Sequence, residues 1–346
     1  MNTTLLRKLS DAYGPPGQEE EPRGVLQAEL EGVANETQVD KLGNIIFWHR
    51  GKKDMPLIML AAHLDEVGFL VRHIEDQGYL RFHSWGVLPN ILPGQRLLLR
   101  GKRGDLRGII GTKPPHIINE EERKKPVILD DLFVDIGTCT REEAEAKGAF
   151  VGMTGVFDVD FIDLGDGYVR GKAFDDRAGC YVMAEVFKGL KNSHYNFVAV
   201  GTVQEEVGLR GSKTAAYQVD PDYGLAIEGT FAVDMPGMAP HMIPASLKKG
   251  PVVTIADASV ITHPRILKTI VEAAEEGKIP YQFKKIPSGG TDAGSIHLTK
   301  GGVPSGTIAV PCRYIHGPAA VTTMEDIDNT IKLTKAFVER ISRAPN

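Results

Sequence analysis

Side chains able to bind a metal or move a proton stand where the apolar runs of this 346-residue chain end. His63 and Asp65 follow PLIMLAA, Asp175 and Asp176 open a helical segment, and Glu205 and Glu206 close FVAVGTVQ. Glu228 follows YGLAI, and His316 lies beyond SGTIAVP. Carboxylates gathered in one crevice raise each other's proton affinity unless positive charge sits among them. Divalent metal ions answer that need economically. One imidazole and one carboxylate for each of two ions, plus a carboxylate bridging both, leave water as the remaining ligand and candidate nucleophile. Taken singly, each residue has a simpler reading: a histidine after a strand as a cap or core group, an acidic pair as solvated or helix-capping. Their shared position at strand ends, among glycines and small residues that let backbone come close, argues for a site.

Ligands of open α/β sheets bind beyond the carboxyl ends of the strands, so these residues need a sheet to carry them. A helix is expected over Asn2 to Tyr13, halted by GPPG, and a second over Glu19 to Val33. VDKLGNIIFW and PLIMLAAHLDEVGFLV each read as a strand, the latter apolar enough to be buried on both faces. From about Arg72 to Gly155 the texture changes to short pieces, YLRFHSW, LLLRG and LRGIIGT, punctuated by glycine and proline. Within it INEEERKKP reads as an exposed loop, and TREEAEAKG as a helix with Thr140 and Glu143 at capping-box spacing.

Helices then alternate with strands: Asp176 to Leu190, strand Phe197 to Gln204, helix Leu209 to Val219, strand Tyr223 to Glu228. Helix Pro264 to Gly277, strands near Tyr281 to Ile286 and Gly306 to Val310, and helix Met324 to Ile341 complete the chain. This pattern is α/β, a mixed, mostly parallel sheet flanked by helices and split by a β-rich insertion. The boundaries read as 1–71 and 155–346 for the main domain and 72–154 for the insertion.

Composition narrows the partners. A net charge of -5, without a basic block, speaks against nucleic acid. No run is apolar for long enough to span a membrane, and MNTTLLRKLSDAYG is not of signal-peptide type, so a cytoplasmic protein is expected. Cys139, Cys180 and Cys312 are widely spaced and unpaired in pattern, and read as buried free thiols.

The motifs AAHLDEVGF, GKAFDDRAGC, VQEEVGLRG, AIEGTFAVDMPG, PSGGTDAGSIH and YIHGPAAVT, in this order, resemble the tetrahedral aminopeptidases, metallopeptidase family forty-two. The resemblance covers essentially the whole chain. It implies a zinc-peptidase-like (phosphorylase/hydrolase) fold with an inserted barrel-like domain, and removal of N-terminal residues from peptides with a free amino end. It further implies two divalent ions, zinc or cobalt, with His63 on one and His316 on the other. Asp175 would bridge them, Glu206 would join His316, and Glu228 would join His63. Many family members carry aspartate at the position of Glu228; the extra methylene here keeps the charge. The peptide bond after the bridging aspartate is often cis in related enzymes. Asp65 is implied as the partner that orients the His63 imidazole, and Glu205 as the unligated general base. The insertion resembles the family's dimerisation domain, whose dimers commonly build hollow tetrahedral dodecamers.

PSGGTDAGSIH reads as a wall of the substrate pocket; its Asp292 and His297 are conceivable ligands that a two-metal inventory does not require. The loop FAVDMPGMAPHM, rich in methionine, points to a neutral or apolar first residue. Competing readings are an endoglucanase-type glycosidase, a deacetylase or carboxypeptidase using paired metals, and a non-catalytic assembly protein.

Overall fold

A computed structural model describes residues 3–117, 119 and 124–343. They form two compact units. The first comprises Met1–Asp65, Phe161–Ile315 and Ala319–Asn346, the second Glu66–Asp160 with His316–Pro318. The second unit begins before the boundary of 72 read from sequence, because its first strand already starts at Gly68.

The first unit opens with α1 (Thr4–Asp11), α2 (Glu20–Leu30), β1 (Glu36–Val39), β2 (Ile45–His49) and β3 (Leu57–His63). VDKLGNIIFW is thus a hairpin and not one strand. The Asp40 carboxylate turns the chain by accepting the amides of Leu42, Gly43 and Asn44 at 2.9, 2.8 and 3.0 Å, as aspartate does in tight turns. PLIMLAAHLDEVGFLV likewise divides, between β3 and a strand of the second unit. Continuous apolar character marks burial and does not reveal which sheet supplies it.

The second unit contains β4 (Gly68–Ile74), β5 (Leu80–Trp85), β6 (Arg96–Gly101), β7 (Gly104–Gly111), β8 (Phe133–Asp135), α3 (Arg141–Lys147) and β9 (Thr154–Phe157). Its strands close into a barrel in the order β4-β5-β8-β7-β6-β9, which leaves no sheet edge open. Phe69 stands edge-on to Phe82 and Phe157 at 5.6 and 5.1 Å inside it. Thr140 caps α3 by accepting the Glu143 amide at 3.2 Å, and the Glu143 carboxylate takes the amide of Cys139 at 2.7 Å. Cys180 and Cys312 are buried, but Cys139 is exposed, because it precedes this surface helix. INEEERKKP falls mostly outside the described residues.

The first unit resumes with β10 (Ile162–Gly165), β11 (Tyr168–Gly171), α4 (Phe174–Leu190), β12 (Asn196–Thr202), α5 (Arg210–Val219), β13 (Tyr223–Phe231) and β14 (Val252–Thr254). It ends with α6 (Pro264–Gly277), β15 (Gln282–Phe283), α7 (Ala293–Ile296), β16 (Ser305–Cys312), β17 (Ala320–Thr323) and α8 (Met324–Arg343). Eight strands form one sheet, ordered β1-β2-β12-β3-β13-β16-β14-β15. Its centre, β12-β3-β13-β16, is parallel. Those strands are apolar on both faces, since helices cover both: β16 is buried along its whole length. A smaller sheet, β10-β11-β17, was not read from the sequence, for β10 is only four residues long and exposed throughout. No described helix is long and apolar enough to cross a membrane.

Candidate metal centre

The carboxyl ends of the parallel strands carry the chemistry. His63 ends β3 opposite Thr202 of β12. Ala226 of β13 pairs with Ala61, so Glu228, two residues on, comes level with His63 on the same face. Asp175 arrives from the start of α4, where it and Asp176 depart from helical backbone and the peptide between them is cis. This close approach needs glycine: a Cβ on Gly229 of β13 would lie 2.9 Å from the Asp175 Cα, and one on Gly179 would lie 2.2 Å from Asp176 Oδ1.

His63 is 1% exposed. Its Nε2 lies 3.2 Å from Asp175 Oδ1, 3.6 Å from Glu228 Oε2 and 4.0 Å from Glu205 Oε2. Its amide donates to Asp176 Oδ2 at 3.1 Å. On the far side of the ring, Nδ1 is 3.1 Å from the Asp65 carbonyl and 3.5 Å from its carboxylate. The backbone oxygen is thus the nearer partner. The Asp65 carboxylate instead receives the amides of Glu205 and Glu206, at 2.9 and 3.0 Å, one on each oxygen. A single buried side chain therefore holds the turn that presents both glutamates.

Ligand atoms of His63, Asp175 and Glu228 lie within 4.8 Å of one another, and those of Asp175 and Glu206 are equally close. His316 is the residue after Ile315, at φ 58, with Nδ1 2.8 Å from the carbonyl of Gly86 in the second unit. Asp292 is fully buried; its amide donates to Glu228 Oε1 at 3.0 Å and its Oδ2 accepts the Thr202 hydroxyl at 2.5 Å. His297 sets Nδ1 3.0 Å from the Ala293 carbonyl, within its own helical turn.

The electrostatics are lopsided. Burial, then the charges of Asp176, Asp292 and Asp175, holds the Glu228 carboxyl well above the ordinary range against the opposing pull of His63. Burial raises Glu205 in the same way, against His63 and with Glu228, Asp292 and Glu206 adding to it. Burial pulls the His63 imidazole down, yet Glu205, Asp175, Asp65 and Glu228 outweigh it and hold it well above its usual value. A crevice so short of positive charge, offering imidazole and carboxylate donors from rigid elements, fits a divalent cation.

Two supports escaped the sequence reading. Glu19, read from sequence only as the start of a helix, is 3% exposed and its Oε1 accepts the amides of Gly17 and Gln204 at 2.7 and 3.1 Å. Arg177 is fully buried and donates to the carbonyls of Leu64, Leu9 and Ala12 at 2.8, 2.6 and 3.1 Å, tying the end of β3 to the chain after α1. Neither carries a sequence signal beyond its charge.

A buried imidazole ringed by carboxylates at the carboxyl ends of a mixed sheet is a centre of metal-dependent hydrolase type. A family model described as M42 glutamyl aminopeptidase matches residues 43–333, and the chain belongs to this family of peptidases. It is 35% identical to the lysyl aminopeptidase of Pyrococcus furiosus, over 97% of this chain and 96% of that protein. The TET aminopeptidase of a marine-sediment Thaumarchaeota archaeon superposes with a TM-score of 0.95 at 39% identity, covering 98% and 96% of the two chains. The TET1 peptidase of Pyrococcus horikoshii, described as assembling into a tetrahedron or a large octahedral shell, superposes at 0.85 with 31% identity, over 96% and 97%. The chain is accordingly a metal-dependent aminopeptidase.

Proposed function

We propose that this chain removes N-terminal residues from peptides using two divalent ions, zinc or cobalt, with Glu205 as general base. His63 and Glu228 would hold one ion, Glu206 and His316 the other, and Asp175 both. The observation that carries this reading is the division of labour between adjacent glutamates. Asp65 holds both their amides, while Glu206 shares a ligand group with Asp175 and Glu205 faces His63. When bound, the ions supply Lewis acidity that brings a water toward ionisation near neutral pH and polarises the scissile carbonyl. Glu205 accepts the proton of that water and delivers it to the leaving amine nitrogen. The negative crevice around Glu228 receives the free α-ammonium of the peptide, which accounts for attack at the amino end.

The test is Glu205→Gln. Metal content is expected to stay at the wild-type level while turnover of an aminoacyl anilide falls by about 10²–10⁴-fold; undiminished turnover removes Glu205 from the role. An endoglucanase-type glycosidase, or a deacetylase or carboxypeptidase, would instead act on a cellulose derivative or on blocked peptides. Cellulose hydrolysis that survives EDTA would overturn the peptidase mechanism.

We place the protein in the cytoplasm as a homo-oligomer, its inserted unit forming dimers and the dimers a dodecamer. The inserted unit exposes Leu88, Ile109 and Val151 to 69, 54 and 61%, and apolar exposure of this kind suits an interface. Light scattering is expected to report the dodecamer mass, and a monomer at micromolar concentration refutes the assembly.

A further inference from the structure

GPPG, read from sequence only as the halt of the first helix, also builds a turn. The Pro15 carbonyl accepts the Gln18 amide at 2.9 Å and Gly17 stands at φ 84, the hydrogen bond and positive φ that mark a type II turn with proline and glycine at its centre. The turn delivers Glu19 to the interior. Glu19 Oε1 accepts the Gly17 amide of that turn at 2.7 Å, so the turn orients the carboxylate as well as carrying it. The same oxygen accepts the Gln204 amide at 3.1 Å.

Four consecutive amides at this place, those of Val203 to Glu206, donate to side chains. Val203 gives its amide to Asn44 Oδ1 at 3.0 Å, Gln204 to Glu19, and Glu205 and Glu206 to the two oxygens of Asp65. Asn44 Nδ2 also donates to the Gly211 carbonyl at 3.0 Å, closing the far end of the loop. Gln204 itself is held at φ 57, a left-handed conformation that a residue with a Cβ keeps only where its surroundings over-determine it. Side chains from three separate segments therefore set the direction in which the two glutamates leave β12. Asn44 and Asp65 hold the residues on either side of Gln204, and Glu19 takes the amide of the strained residue, one before the candidate base.

We propose that Glu19 is a positioning residue of the reaction: by holding Gln204 in its left-handed conformation it aims the Glu205 carboxylate at the centre, where that group faces His63. The inference rests on the reading of Glu205 as general base. It is tested on the full chain in saturating zinc or cobalt, with whichever of glutamyl, leucyl and lysyl anilide the wild type turns over fastest. The variants are Glu19→Gln, Glu19→Met and Glu19→Asp, each also combined with Glu205→Gln, and Leu26→Ala, which opens a cavity beneath α2 at a fully buried position away from the loop.

Glu19→Gln keeps an accepting oxygen at the same reach and is expected to keep the wild-type kcat. Glu19→Met fills the same space without an acceptor and is expected to lose on the order of 100-fold in kcat with KM little changed, as displacement of a catalytic group does. Leu26→Ala should lower the unfolding midpoint and leave kcat alone. In the Glu205→Gln background Glu19→Met should cost little more, because residues acting through one group are not additive. Should Glu19→Met not fold, Glu19→Asp decides, its oxygen withdrawn by one methylene and its kcat expected to fall. Undiminished kcat in both variants, the same fold-loss with and without Glu205, or a kcat that Glu19→Gln fails to preserve would overturn the proposal, as would an equal loss of kcat in Leu26→Ala. Undiminished turnover by Glu205→Gln alone removes the base, and hydrolysis of none of the anilides by the wild type removes the aminopeptidase reading; either takes the inference with it.

Discussion

Asp65 illustrates how much one buried carboxylate can organise. An aspartate oxygen accepts the amide of each candidate catalytic glutamate, so the two side chains diverge from a fixed turn. Asparagine in its place keeps one acceptor and turns a donor toward the other amide. Asp65→Asn is therefore expected to fold but to lose metal affinity or turnover by about 10–100-fold, as for other supports of a ligand set. Metal titration together with anilide turnover checks this; wild-type values for both would show that the turn holds without Asp65. The candidate ligands themselves were legible because each is a charged or imidazole residue closing an apolar strand. Their supports were not. Glu19 was read only as the start of a helix, and its burial and its bonds to the Gly17 and Gln204 amides are set by packing.

At the scale of elements, Glu19 links the residue before α2 to the turn after β12 through its bond to Gln204. Burial first, and then the charge of Asp65, raises its carboxyl from 4.5 to about 7. A carboxyl raised on folding binds its proton more tightly in the folded state. Its contribution to stability is complete below about 4.5 and is lost as pH rises through about 7. The full span corresponds to about 3 kcal/mol. Glu19→Gln retains the accepting oxygen and cannot ionise, so its unfolding free energy should vary less between pH 5 and pH 8 than that of the wild type. Urea unfolding at the two pH values decides; parallel profiles would locate the ionisation elsewhere. The main strands were foreseeable because parallel strands buried on both faces are apolar without interruption. The β1–β2 hairpin was hidden inside one apolar stretch, since Asp40 turns the chain through hydrogen bonds that no periodicity records.

At the scale of the molecule, the centre couples metal binding to pH. Glu228 has a raised proton affinity, burial being the leading cause. A proton held on this ligand at low pH must leave before a cation enters. Zinc or cobalt added to metal-stripped protein should thus raise the unfolding midpoint more at pH 8 than at pH 5. The stabilisation is about 4 kcal/mol at a thousand times the dissociation constant. An equal rise at both pH values would mean that Glu228 does not take part in binding.

By itself, the sequence determined the α/β class, the insertion and the residues that can bind metal, because hydrophobic period and residue chemistry are local properties. Only the tertiary structure decided which donors meet. The row from Gln282 through Val252 and Ala309 to Glu228 joins segments far apart in the chain, and strand register is a non-local outcome of packing. The same packing brings Glu228 of β13 level with His63 of β3.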